Sequence, residues 1–143
     1  MVLLAQQMRT LMDQRLRPDG LTTQQAALLT AVDSFGVPPT LSQVAAALST
    51  SHQNARQIAD ALQRKGMLAY EADPADARVR RLRTTSTNAE YWQRRNAADH
   101  EAVAAWFDGL SPDEVRTLHA LLARVESRVK DALHRAASGV SES

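Results

Sequence analysis

The chain of 143 residues has no cysteine, which excludes disulfides, thiolate metal sites and thiol redox sensing. Aromatic residues make up only 4% of it. A core drawn from the 44% apolar content must therefore be mainly Leu, Val and Ala, which favours helices. Glycine occurs five times, and no phosphate-cradling glycine loop or G-x-S-x-G elbow is among these positions. His52, His100, His119 and His134 are scattered, and no pair forms H-E-x-x-H or another metal spacing. Asp99, His100 and Glu101 are adjacent, but adjacent side chains diverge around a helix, so a solvated face is expected there. No catalytic residue, metal or cofactor is expected, and the chain does not read as an enzyme. No apolar run approaches the ~18 residues of a membrane span. "MVLLAQQMRTLMDQRL" lacks the basic start, long apolar middle and cleavage site of a signal peptide, so a cytoplasmic protein of one domain is expected.

A strong net charge is also lacking: the total is +1. The distribution is uneven, however. Residues 1–50 carry three Arg against three Asp, and residues 51–83 carry seven Lys and Arg against four acids. Residues 84–143 carry seven bases against nine acids. The basic middle ends in "DPADARVRRLR", with Arg78, Arg80, Arg81 and Arg83 inside six positions. Weak total charge with a local basic cluster points to a defined polyanion site rather than a general polycation.

Helix starts are legible as S/T-x-x-E/Q capping boxes at Thr22 with Gln25, Thr40 with Gln43, Thr87 with Glu90 and Ser111 with Glu114. Pro112 and Asp113 strengthen the last of these. Stops follow at Pro18 and Gly20, at Gly36 with Pro38 and Pro39, and at Gly66, Gly109 and Gly139. The spacing predicts helices over 2–17, 22–35, 41–48, 51–65, 87–108 and 111–136. "MLAYEA" and "VRRLRTT" flank turn chemistry and predict one β-hairpin. The fold class is mainly α with a single hairpin.

In "TLSQVAAALSTSHQNARQIADALQRKG", Val44, Ala45 and Leu48 share one helix face, and Ala55, Ile58, Ala59 and Leu62 share one face of the next. The short break at Ser49, Thr50 and Ser51 fits a helix-turn-helix, and equally a helical hairpin in a bundle. The second helix shifts that balance. At about 100° per residue, Gln53, Arg56, Gln57, Asp60 and Arg64 lie away from the apolar stripe, with Ser51, His52 and Asn54 at the helix start. Gln, Asn and Arg carry the paired hydrogen-bonding groups that suit adenine and guanine edges in the major groove. A hairpin after such a pair is a wing, with Arg78 at its tip and Arg80 alternating with Arg81 and Arg83 along the returning strand. Such charge also guards an exposed edge strand against aggregation. That role would mix in Lys or Glu, whereas this strand is purely arginine.

The stretch from Leu41 to Thr85 resembles the MarR family of winged-helix transcription regulators. Leu62, Lys65, Gly66 and Leu68 match its L-x-x-K-G-L exit, and Asp73, Pro74, Asp76 and Arg78 match its wing signature D-P-x-D-x-R. "GLTTQQAALLTAV" resembles its preceding helix, and two long C-terminal helices complete the layout. Three positions depart from the pattern: Ala77 where a second arginine is common, Asn88 at a usual glycine, and Ser49 in place of a common turn glycine. The resemblance implies one domain over 1–143, with a DNA-binding lobe at 20–86 and dimerisation helices at 1–19 and 87–143.

On this reading Ser51, His52, Gln53, Asn54, Arg56, Gln57, Arg64, Arg78, Arg80 and Arg81 contact double-stranded DNA, and Asp73, Pro74 and Asp76 shape the wing. Val115, Leu118, Leu122, Val125, Val129 and Leu133, with Leu4, Met8 and Leu11, run at spacings of three and four. Intrachain packing explains part of such stripes, and the resemblance implies that they also hold a homodimer. Trp92 reads as core or dimer packing. Its functional alternative, again through the resemblance, is the wall of a pocket for a small aromatic or phenolic effector. The expected function is a homodimeric, sequence-specific repressor that reads an inverted repeat, with effector release left open. The alternative is a winged-helix protein-interaction module whose arginines meet an acidic partner.

Overall fold

The computed structural model describes residues 1–139. The elements are α1 Val2–Leu16, α2 Thr23–Ser34, α3 Leu41–Ala47, α4 His52–Arg64, β1 Leu68–Ala72, β2 Arg80–Thr84, α5 Ser86–Ala105 and α6 Pro112–Gly139. A 3-10 turn at Arg17–Asp19 joins α1 to the chain that follows. This is the mainly helical, single-hairpin winged helix-turn-helix that the sequence predicts. Residues 140–143, the end of the single-domain assignment, lie outside the described residues. No helix among the described residues is long and apolar enough to cross a membrane.

Contacts divide the chain into two compact units, Met1–Gln93 and a second that begins at Arg94. α1 falls in the first unit, where Leu16 is buried and Met12 packs against the core. That core is aliphatic, as the scarcity of aromatics requires. Leu28, Leu29 and Val32 come from α2, Val44 and Ala45 from α3, and Ala55, Ala59 and Leu62 from α4. The alanines of α4 keep its inner face flat, so α2 and α3 approach closely. β1 and β2 pair antiparallel with Leu68 opposite Thr84, Tyr70 opposite Leu82 and Ala72 opposite Arg80. Cross-strand partners share a face, so Leu68 and Leu82 enter the core together. Each fully buried leucine contributes roughly 1.5–3 kcal/mol.

Local chemistry sets most boundaries. The capping boxes of Thr22 with Gln25 and of Thr40 with Gln43 are closed in both directions. At the start of α6 the Ser111 N–H donates to Glu114 Oε2 (2.7 Å), and the Glu114 N–H donates to Ser111 Oγ (3.3 Å). The box expected at Thr87 is not the one used. α5 starts at Ser86, with the cap two residues earlier than expected, where Thr85 Oγ1 accepts from the Asn88 N–H at 3.4 Å. Thr85 is held there by tertiary bonds: its N–H donates to Met67 O (3.2 Å) and its hydroxyl to Gly66 O (2.5 Å). α5 also ends earlier than expected, at Ala105, where residues 106–108 close with tight bonds back to Val103, Ala104 and Ala105.

Two helix ends share one pattern, which also closes the chain after the 3-10 turn at Gly20. After α3, Thr50 N–H donates to Ala45 O and Ser49 N–H to Ala46 O; after α4, Met67 N–H donates to Leu62 O and Gly66 N–H to Gln63 O. This is the Schellman arrangement, which places its pivot residue in the left-handed region. The pivots are Gly66 at φ +72° and Ser49 at φ +51°, the one non-glycine positive φ among the described residues.

Candidate nucleic-acid interface

α4 has two sharply different faces. Ala55, Ala59 and Leu62 are fully buried, while Ser51, His52, Gln53, Arg56, Gln57 and Arg64 are exposed. Ser51 caps the helix, its Oγ accepting from the Asn54 N–H at 3.1 Å. Asn54 is turned away from the outer face: its Nδ2 donates to Thr50 Oγ1 at 2.8 Å, so its amide braces the turn. Asp60 is half-buried, and its Oδ1 accepts from the Tyr70 hydroxyl at 3.0 Å. Burial first, and then this bond, push the Tyr70 hydroxyl up to about 12, so it stays a proton donor at any physiological pH.

The arginines of the hairpin divide between its two faces. Arg80 shares a face with Tyr70, Leu82 and Thr84. It is the diagonal neighbour of Tyr70, within reach for long side chains. Its guanidinium carbon lies 5.8 Å from the Tyr70 ring centre, a cation–π contact of about 0.5–1 kcal/mol where solvent is near. Arg81 and Arg83 lie on the opposite face and meet acids there. Arg83 Nε donates to Glu71 Oε1 at 2.6 Å. Arg81 pairs with Asp73 and also donates from Nη1 to Pro38 O at 2.8 Å. Its side chain is only 26% exposed. Of the residues predicted to touch DNA, Arg81 is the one the fold occupies most. It lashes β2 to the α2–α3 loop, alongside the Leu82 N–H bond to Pro39 O (2.8 Å) and the bridge between Thr40 and Arg81.

The wing signature is a folded turn. Asp73 Oδ1 accepts from the N–H groups of Ala75 (2.7 Å) and Asp76 (3.1 Å), while its Oδ2 accepts from Arg81. Asp76 in turn accepts from the Arg78 N–H at 3.0 Å and from its guanidinium at 3.1 Å and 3.2 Å. The hydrogen bond from Arg81 holds the Asp73 carboxyl below its ordinary range, and that from Arg78 does the same for Asp76. Pro74 follows the first acid at the surface. Arg78 is left 91% exposed at the tip, aimed by a carboxylate that itself faces solvent. An exposed pair of this kind is worth little and gives way easily to a stronger anion.

Between α3, α4 and β2 lies a cavity of about 410 Å³ lined by Thr40, Leu41, Ser42, His52, Arg56, Asp60, Tyr70 and Arg80. Neither Arg56 nor Arg80 has an ion-pair partner among the described residues. Sequence reasoning found the two arginines and His52 but missed Tyr70 and Ser42. The available signal was strand alternation, which puts Tyr70 on the same face as Leu68 and Leu82.

The remaining predicted residues are placed as follows. Trp92 packs half-buried against the first unit's core. Its indole N–H donates to Asn88 Oδ1 at 2.9 Å, and its ring meets Tyr91 edge-on at 4.9 Å. Asn88 is buried at the family's usual glycine position, where its amide serves Trp92. In α1, Leu4 and Leu11 are exposed and Met8 is half-buried. In α6, Leu118 is half-buried, while Leu121, Leu122, Val125, Val129 and Leu133 are each 46–52% exposed, and Val115 is exposed as well.

A sequence model described as the MarR family matches residues 19–79, from the 3-10 turn to the end of the wing loop. Among solved structures, a MarR protein from Peptoclostridium difficile superposes with a TM-score of 0.81 at 16% identity, covering 94% of this chain and 87% of that one. The transcriptional regulator SlyA gives 0.79 at 15% identity, covering 94% of each chain. MepR of S. aureus, in a crystal structure of its DNA complex, gives 0.74 at 20% identity, covering 88% of this chain and 93% of that one. At such identities the likeness is one of fold. The resemblance read from the sequence is therefore met by a second likeness: residues 19–79 match the MarR family model, and the chain shares the winged-helix fold of solved MarR-family structures.

Proposed function

We propose that this protein is a sequence-specific, DNA-binding transcription regulator that acts as a homodimeric repressor on an inverted repeat. The observation that carries this reading is the outer face of α4. It presents exposed amides and an arginine from Gln53, Arg56 and Gln57, while the inner face is buried. A helix of this kind enters the major groove with its N-terminal residues towards the base edges. The hairpin follows it with Arg78 and Arg80 exposed, which supports contact with phosphate or the minor groove. MepR, which shares the fold, has been solved bound to DNA.

The dimer rests on α6, whose aliphatic stripe from Leu121 to Leu133 is half exposed to water. Covering it with a second copy would yield up to roughly 1.5–3 kcal/mol for each side chain fully buried. Two copies related by a two-fold axis would read half-sites about one helical turn, 10–10.5 base pairs, apart. Release by a small aromatic or phenolic effector completes the family-like reading. A panel of small phenols that shifts neither the melting temperature nor DNA affinity would remove that part alone.

The test is selection of bound fragments from random duplex DNA, followed by titration of the selected duplex at several salt concentrations. Binding that falls steeply with salt supports the reading, and two related half-sites support the dimer. A chain that ignores duplex DNA but captures an acidic protein would favour the interaction-module alternative. Light scattering should give twice the chain mass. A monomer that binds single half-sites as well as paired ones overturns the architecture.

A further inference from the structure

The cavity between the recognition helix and the wing has the shape and charge of a built anion site. Its walls carry Arg56 and His52 from α4, Arg80 from β2 and the Ser42 hydroxyl from α3. A carboxylate, Asp60, also faces it and should repel any anion that enters. The structure counters that repulsion: the Tyr70 hydroxyl donates to Asp60 Oδ1 at 3.0 Å, turning a proton towards the acid. The same Tyr70 ring carries the Arg80 guanidinium. Both Arg56 and Arg80 act electrostatically on the Tyr70 hydroxyl, so the two cations flank it.

Resting on the DNA reading above, we propose that this cleft seats one phosphodiester of the DNA backbone. Arg56 and Arg80 grip it, and Tyr70 is the positioning residue that masks Asp60 and aims Arg80. A backbone strand leaving the major groove beside α4 would have this cleft between it and the wing. Two guanidiniums on opposite walls match the forked geometry with which arginine holds phosphate. The cleft therefore fixes the register between helix and wing on the duplex. That positioning role carries no sequence information of its own.

The test uses the full chain and its selected duplex, with affinity read by fluorescence anisotropy across salt. Arg80→Ala should reduce the slope of log affinity against log salt by about one per half-site. Replacing single phosphates by neutral methylphosphonates should reveal one position per half-site whose neutralisation weakens the wild-type protein about tenfold or more. Arg80→Ala should be indifferent to that same replacement. Tyr70→Phe keeps the ring but unmasks Asp60, and should weaken binding about tenfold, with Asp60→Asn in the same chain restoring most of the loss. A purely structural Tyr70 would show no such rescue, and that result overturns its role. If the wild type binds its duplex but no methylphosphonate position depends on Arg80, the phosphate seat fails while the DNA reading stands. A wild type that binds no duplex at all overturns both.

Discussion

Replacing Ser49 by glycine should stabilise the protein, although it removes a side chain. The turn between α3 and α4 ends in the same hydrogen-bond pattern as the end of α4, where the pivot is Gly66. At Ser49 the pivot carries a Cβ at φ +51°. Left-handed backbone costs an L-residue roughly 1–2 kcal/mol. Against that relief, glycine raises the freedom of the unfolded chain, a loss of about 0.4–1 kcal/mol. The balance is a gain of about 0.5–1 kcal/mol, which for a chain of this length raises the melting temperature by about 2–5 °C. Ser49→Ala keeps the strain and should stay within about 0.5 kcal/mol of wild type. Gly66→Ala is the mirror experiment. A Cβ there would meet nothing within 4 Å, so its cost comes from the backbone alone and should be about 0.5–1 kcal/mol. Melts should be followed by circular dichroism at one fixed protein concentration, because association couples to stability. If Gly66→Ala loses stability while Ser49→Gly melts at or below wild type, the strain assigned to this turn is refuted.

The cap of α5 is tested by a pair of variants. Thr85→Ala should lower stability by about 0.5–2 kcal/mol in urea, and Thr87→Ala should stay within about 0.5 kcal/mol. Acid should weaken the fold through Asp13, Asp73 and Asp76, whose folded values lie below the ordinary range. Their contribution is complete above the unfolded value of about 3.9 and is lost as pH falls through the depressed folded values. Asp13, lowered first by the Thr23 hydroxyl and then by its N–H, accepts both at 2.5 and 2.6 Å. Asp13→Asn should therefore flatten the decline as pH falls below about 4, and an unchanged slope would remove Asp13 from this account. At the wing tip, Arg78→Ala should weaken binding evenly across DNA sequences and reduce the salt slope by about one per half-site. A loss confined to one base position would reassign it to base reading.

Much of the architecture was legible because its signals are local. Thr22, Thr40 and Ser111 sit three residues before a Gln or Glu, and each closes the box that this spacing implies. Spacing pointed to Thr87, which has Glu90 three residues on, and what chose Thr85 instead was its bonds to Gly66 and Met67 on the chain before the hairpin. No pattern within α5 carries that information. The candidate site was similarly half visible. Periodicity found the outer face of α4, because amphipathicity is a property of one helix. It could not see that Arg81 would be taken by Pro38 O, or that Tyr70 would reach Asp60. Those pairings exist only once the hairpin is laid against the loop and α4. A run of arginine shows its charge in the sequence, whereas its partners come from the fold.

The tether at Arg81 bears on how such a protein would divide its time on a chromosome. A regulator meets some ~10⁶–10⁹ irrelevant positions alongside its own, and each attracts it through charge alone. A guanidinium committed to Asp73 and Pro38 O gives the wing its shape and adds little to the dwell on bystander DNA. Arg83, engaged with Glu71, adds less than its charge suggests. On the proposed reading, the amides of Gln53 and Gln57 carry no charge and would hold only where a base edge fits them. Four arginines in six positions thus exert a weaker long-range pull than their number implies, and on the proposed reading more of the residence time would fall to groups that act at contact.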